Sequence, residues 1–358
     1  MFKIGNREVG RRARPYLIAE MSGNHNQSLD RALEIVDAAA EAGADAIKLQ
    51  TYTADTMTLN LREPGFVIDD PKSLWHGRQL YDLYNEAHTP WDWHKPIMDR
   101  ASTLGMACFS SPFDATAVDF LEELGVPAYK IASFEIVDIP LIEKVAATGK
   151  PMIISTGMAN VAEIGEAINA ARGAGATDIV LLKCTSTYPA TPENSNIATI
   201  PNLAETFDCA AGLSDHTLGT GVAVASVAMG AVLIEKHFTL SRKDGGVDST
   251  FSMEPAEFCQ LREESDRAWQ SVGTVTYGTS LAEANSRAFR RSLYIAADMK
   301  AGDELDRNNL RAVRPGFGLP PKFLETLLGQ RIARDMSAGT PASWEMLALP
   351  PHGKSYIS

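Results

Sequence analysis

His216, in Ser214-Asp215-His216-Thr217, and His237, in Glu235-Lys236-His237-Phe238, each close a short apolar run. If those runs are neighbouring strands, about 4.8 Å apart, the two imidazoles can converge on one divalent cation. Either histidine alone reads equally well as a packed rim side chain; a pair at matching strand ends points to a metal. Two imidazoles leave the remaining positions to water and substrate oxygens, which suits Mn2+ or Mg2+, or Co2+, better than structural zinc. Lys48 and Lys130 raise a second question, because each sits inside an otherwise apolar run. A buried ammonium is costly without a partner. That partner is either an anionic ligand or a neighbouring carboxylate such as Glu20 or Glu135. Ser111, Ser133, Ser155, Thr156 and Gly157 close or follow further apolar runs and can offer hydroxyls and close backbone N–H groups to a phosphate.

Such residues need a scaffold that gathers strand ends. From Pro15 onward, short apolar runs alternate with amphipathic segments about eight times, a rhythm that stops near Gly273. This predicts an α/β fold, a (β/α)8 TIM barrel, with its active site at the C-terminal ends of the strands. The expected strands are Tyr16–Glu20, Ala46–Gln50, Met106–Phe109, Ala128–Ala132, Met152–Ser155, Ile179–Lys183, Ala210–Leu213 and Val232–His237. Leu29–Ala42, Ala159–Gly173 and Thr217–Gly230 carry helical spacing. The stretch Thr51–Pro90 is too long for an ordinary connection and reads as a cover over the barrel mouth; Trp75, Tyr81 and Tyr84 within it, with Trp91 and Trp93 just after it, are expected to form an aromatic lid. Residues 1–14 read as a hairpin under a barrel domain of residues 1–272. A linker over residues 273–286 precedes a compact second domain, 287–358, with short strands, turn glycines and prolines.

The composition narrows the function classes. A formal net charge of -12 argues against a general nucleic-acid or anionic-membrane binder. No run approaches the roughly 20 apolar residues of a membrane span, so a cytoplasmic protein is expected. The four cysteines, Cys108, Cys184, Cys209 and Cys259, form no CxxC pair and read as free thiols.

Seven segments together, Ile18–Asn26, Lys48–Tyr52, Ser110–Asp114, Tyr129–Glu135, Ile154–Met158, Gly212–Thr217 and Glu235–Leu240, resemble the sialic acid synthase family. The resemblance implies a TIM barrel followed by a small C-terminal antifreeze-like (SAF) domain, and condensation of phosphoenolpyruvate with an acetamido sugar. It implies that His216 and His237 bind the metal and that Lys48, Ser111, Lys130, Ser133, Ser155 and Ser214 hold phosphoenolpyruvate. Glu20, Gln50, Glu135, Tyr188 and Asp248 would face the sugar. Arg314 would enter from the second domain of a partner subunit, in a domain-swapped homodimer. Glu20, Glu135 and His237 are the catalytic candidates, Glu135 for the water and Glu20 for a sugar hydroxyl. Ser186 stands where the family often has Asn, which puts its phosphate contact in doubt. Met21, Ser22, Leu49 and the segment Leu74–His94 look most like the pseudaminic branch of the family, whose sugar is 2,4-diacetamido-2,4,6-trideoxy-L-altrose, rather than the N-acetylneuraminate or legionaminate branches. Two other readings stay open: a pyruvate aldolase with Lys130 or Lys236 as Schiff-base nucleophile, and a non-catalytic carbohydrate-binding protein.

Overall fold

The computed structural model describes residues 1–348. A hairpin, β1 (Phe2–Ile4) and β2 (Arg7–Val9), precedes eight parallel strands that close into a barrel. These are β3 (Tyr16–Glu20), β4 (Ala46–Thr51), β5 (Ala107–Pro112), β6 (Tyr129–Ile131), β7 (Met152–Ser155), β8 (Ile179–Cys184), β9 (Ala210–Asp215) and β10 (Leu233–His237). Nearly every strand residue is buried, as it must be when helices cover one face and the barrel interior the other. The barrel closes where β10 pairs with β3.

Register is what positions the chemistry. It sets His237 level with Glu20, Glu20 level with Lys48, Gln50 level with Ser111, and Glu235 level with Ser214. Lys48 and Gln50 are two apart on one strand, so both face the same side. The outer helices are held by the same burial. Leu29–Glu41 starts at Ser28, whose hydroxyl accepts from the Arg31 N–H, and buries Ala32, Ile35, Val36 and Ala39 at helical spacing.

Three elements differ most from expectation. β5 runs on through Ser110, Ser111 and Pro112, because the ladder to β4 continues to Thr51. β9 likewise extends to Asp215. The helix expected from Thr217 begins instead at Gly221, because the Thr217 and Gly219 carbonyls are taken by the Lys236 ammonium. The stretch after β4 contains two short helices, Ala54–Met57 and Leu80–Ala87, with a bridge between Val67 and Gln79.

Contacts divide the chain into one unit of Met1–Gly273 and a second from Thr274 onward. A 3₁₀ helix spans Leu281–Phe289 in the second unit, across the end of the expected linker. Beyond it, β11 (Ser292–Ile295) pairs antiparallel with β12 (Leu310–Val313) over a core of Leu293, Ile295, Leu305, Leu327, Ile332 and Met346. Among the described residues no helix is long and apolar enough to cross a membrane.

Candidate active site

The barrel interior near the strand ends holds a buried ring of charge. Lys48 Nζ lies 2.6 Å from Glu20 Oε2 and 3.8 Å from Glu235 Oε1, and donates to Ser111 Oγ at 3.2 Å. Lys130 Nζ stands 3.8 Å from the same Glu235 oxygen, beyond hydrogen-bond range. Gln50 Nε2 donates to Glu20 Oε1 at 2.9 Å, and Ser214 Oγ donates to Glu235 Oε1 at 3.3 Å. The two lysines are therefore unequal. Burial draws Lys48 down, but Glu20 and Glu235 outweigh it and hold its pKa above the usual value. Burial dominates at Lys130 and pulls its pKa below. Among the described residues, Ser155 Oγ, Glu135 Oε2 and Glu235 Oε2 are buried without a hydrogen-bond partner. Buried polar atoms are rarely left so unless a ligand or water completes them.

Gly157 keeps the cradle open between β6, β7 and β8. Its φ is +36°, and a Cβ there would stand 2.5 Å from the Ser133 Cβ and 2.9 Å from Ser186 Oγ. No side chain fits at that position without moving both serines.

Above the ring lies a cavity of about 340 Å3. Gln50, Ser133, Glu135, Tyr188, His237 and Asp248 supply its polar wall, and Met57, Trp75, Leu83, Tyr84 and Phe113 its apolar wall. Burial pushes Glu135 up to about 7, against the pull of Lys130. Asp248 is also raised by burial, and accepts a hydrogen bond from Ser22. Ser22 holds a positive φ of 47°, a conformation uncommon outside glycine and typical of constrained sites.

His216 and His237 face each other with ring centres 5.3 Å apart. His216 Nδ1 donates to the Thr185 carbonyl at 2.9 Å, which leaves Nε2 for a ligand; burial draws its pKa down, but Cys184, that carbonyl and Glu235 outweigh it and hold it above the usual value. His237 Nδ1 is buried without a hydrogen-bond partner, 3.9 Å from Asp248 Oδ2. Burial, His216 and Lys48 hold its pKa well below the usual value, so the ring is neutral. A neutral His237 with a free nitrogen, and a His216 whose Nε2 proton a metal can displace, fit a divalent cation. Among the described residues no third His, Cys, Asp or Glu joins them in a metal-sized group, so water and substrate oxygens must complete any such site.

The barrel thus brings Glu20, Lys48, Gln50, Ser111, Lys130, Ser133, Glu135, Ser155, Tyr188, Ser214, His216, His237 and Asp248 to one end. Arg314 lies in the second unit, exposed, directly after β12. The expected aromatic lid needs correction. Trp75 and Tyr84 line the cavity, whereas Tyr81 turns out to bond Asp55, Trp91 stacks on Phe120 and Trp93 packs edge-on to His25. The last two belong to the helix Trp91–Thr103, which packs outside the barrel. Glu235 is a site residue that its sequence context does not announce, although its spacing of two from His237 puts it on the same face of β10.

A parallel barrel with buried lysines and open hydroxyls below an imidazole pair defines a TIM-barrel enzyme suited to a small anionic substrate. The NeuB family pattern matches residues 35–277 and the SAF domain pattern residues 290–348. The chain belongs to the NeuB family, that of the sialic-acid-type synthases. It is 42% identical to the pseudaminic acid synthase of Helicobacter pylori over 92% of this chain and 96% of the relative. It is 36% identical to the N,N'-diacetyllegionaminic acid synthase of Legionella pneumophila, over 92% and 94%. Among solved structures, the N-acetylneuraminic acid synthetase of Leptospira borgpetersenii, crystallised with citrate, superposes with a TM-score of 0.72 at 30% identity, covering 80% of this chain and 94% of that one.

Proposed function

We propose that this protein condenses phosphoenolpyruvate with 2,4-diacetamido-2,4,6-trideoxy-L-altrose and water, giving pseudaminic acid and phosphate. The observation that carries this reading is the buried pair Lys48 and Lys130, with unpaired hydroxyl and carboxyl groups, at the same end of the barrel as the two imidazoles and the cavity that Glu135 and His237 line. Identities of 40–42% to three pseudaminic acid synthases favour the pseudaminic sugar.

Lys48, Lys130, Ser111, Ser133, Ser155 and Ser214 hold the phosphate and carboxylate of phosphoenolpyruvate. Gln50, Tyr188 and Asp248 face the open-chain sugar, and Glu20 holds one of its hydroxyls. A divalent cation held by His216 and His237, Mn2+, Mg2+ or Co2+, supplies Lewis-acid polarisation of the sugar aldehyde. C3 of phosphoenolpyruvate forms the new bond to that carbon, water adds at C2, and the C2–O bond to phosphate breaks. Glu135, near neutral in its titration and with a free oxygen, orients that water and takes its proton.

A homodimer is part of the proposal. Phe134, Val137, Met158, Val161 and Leu218 are exposed apolar side chains in the segments that follow β6, β7 and β9. A second copy that covers this rim and contributes Arg314 to the sugar site would account for them. The cytoplasm is the compartment that suits this chemistry.

The test measures phosphate release from phosphoenolpyruvate with a panel of acetamido sugars, with and without Mn2+, and identifies products by NMR. The 6-deoxy diacetamido sugar is expected to turn over fastest, with solvent oxygen-18 in the product C2 hydroxyl. Preferred use of N-acetylmannosamine moves the chain to the sialic branch. Pyruvate in place of phosphoenolpyruvate, with EDTA resistance and borohydride trapping, overturns the reading altogether.

A further inference from the structure

The proposed condensation makes no use of Lys236, although it is only 1% exposed and lies between Glu235 and His237. Alternation on β10 turns it away from the barrel interior that its two neighbours face. Its three N–H bonds are all engaged: Asp215 Oδ2 accepts at 3.0 Å, the Thr217 carbonyl at 2.5 Å and the Gly219 carbonyl at 3.3 Å. Asp215 Oδ1 is equally occupied, by the Thr217 N–H at 2.9 Å and the Thr217 hydroxyl at 2.8 Å. An amine so bound has no free pair for a carbonyl carbon, which removes Lys236 as a Schiff-base nucleophile.

What the cluster joins is more informative. The ladder between β9 and β10 ends at the pair Asp215 and Lys236. His216 lies one residue past that end, while His237 is held on its other side by pairing with Glu20 of β3. Beyond the ladder, the Lys236 ammonium takes over: it binds the carbonyls of the turn that carries His216 to the strand that carries His237.

We propose that Lys236, together with Asp215, is a positioning residue for the cation, fixing the separation of the two imidazoles from the outer face of the barrel. This rests on the reading of His216 and His237 as cation ligands. A turn freed from β10 lets His216 drift, so that the pair no longer binds one ion at a fixed spacing. Groups that orient metal ligands typically govern affinity by about 10–100-fold.

The experiment titrates Mn2+ into the purified full chain, following free Mn2+ by electron paramagnetic resonance, and measures phosphoenolpyruvate binding separately without metal. Wild type is expected to bind Mn2+ and His216→Ala to lose it. Lys236→Met is expected to weaken Mn2+ binding about 10–100-fold, with phosphoenolpyruvate affinity held within about twofold. Because Lys236→Met strands a buried carboxylate, the double variant Lys236→Met/Asp215→Asn removes the clamp without a lone charge and serves where the single variant does not fold. If wild type binds no Mn2+, or His216→Ala binds it equally, the ligand reading fails first. If those controls behave and the folded Lys236 variants bind Mn2+ like wild type, even with a lowered melting temperature, Lys236 is purely structural and the inference is overturned.

Discussion

Glu135 shows how much of this site is decided by the surroundings of single groups. Its sequence context, Ser133-Phe134-Glu135, is that of any acidic loop residue, yet burial lifts its pKa from 4.5 to about 7. A carboxyl that titrates near neutrality can serve as base over the working pH range. We predict that kcat/KM rises as pH climbs through about 7, and that Glu135→Gln removes this limb and lowers kcat by about 10²–10⁴-fold. An unchanged pH profile in the variant would exclude Glu135 as that base. The same shift has a stability consequence of opposite sign. Because the folded pKa lies above the unfolded one, the group's contribution is complete below about 4.5 and is lost as pH rises through about 7. Glu135→Gln should therefore resist urea better than wild type at pH 8, with little difference at pH 4.

At the scale of elements, the strand ends are held as firmly from outside the barrel as from within. His94, on the helix Trp91–Thr103, contacts Thr51 Oγ1 through Nε2 at 2.7 Å, and Thr51 meets Ser110 Oγ at 2.6 Å. Because the Pro90 carbonyl only accepts, His94 Nδ1 carries the proton, Nε2 accepts from Thr51, and Thr51 accepts from Ser110. Burial keeps the ring neutral by pushing its pKa down to about 4. This clamp joins the ends of β4 and β5 on the face opposite Gln50 and Ser111. His94→Phe, which removes the acceptor of the Thr51 hydroxyl proton and leaves only Ser110 beside it, is expected to cost about 1–3 kcal/mol in urea unfolding. His94→Gln, which restores an acceptor, should recover part of the loss; equal destabilisation by both would mean that packing, not the hydrogen bond, is what matters.

At the scale of the whole molecule, the proposed homodimer shares its sites between subunits. Arg314 is exposed in the second unit, and the rim after β6, β7 and β9 exposes apolar side chains. If a partner's Arg314 completes each site, two defective chains can repair each other. Mixing Arg314→Ala chains with His237→Ala chains, unfolded and refolded together, should restore about a quarter of wild-type activity, since half the dimers are mixed and each has one intact site. No recovery in demonstrably mixed dimers would rule out this sharing between subunits.

Much of this was legible in the residue order because the barrel repeats one simple rule: apolar strand, polar strand end, amphipathic helix. That rule located Lys48, Lys130, His216 and His237 and the eight strands, within a few residues at each end. Sequence alone could not say which partner a buried group meets, because register and alternation are properties of the closed sheet. Only the tertiary structure placed Glu20 against Lys48, put Glu235 between the two lysines, and turned Trp91 and Trp93 away from the cavity. Likewise His216 and Lys236 are separated by a helix in the chain, and only barrel closure sets the turn of one upon the ammonium of the other.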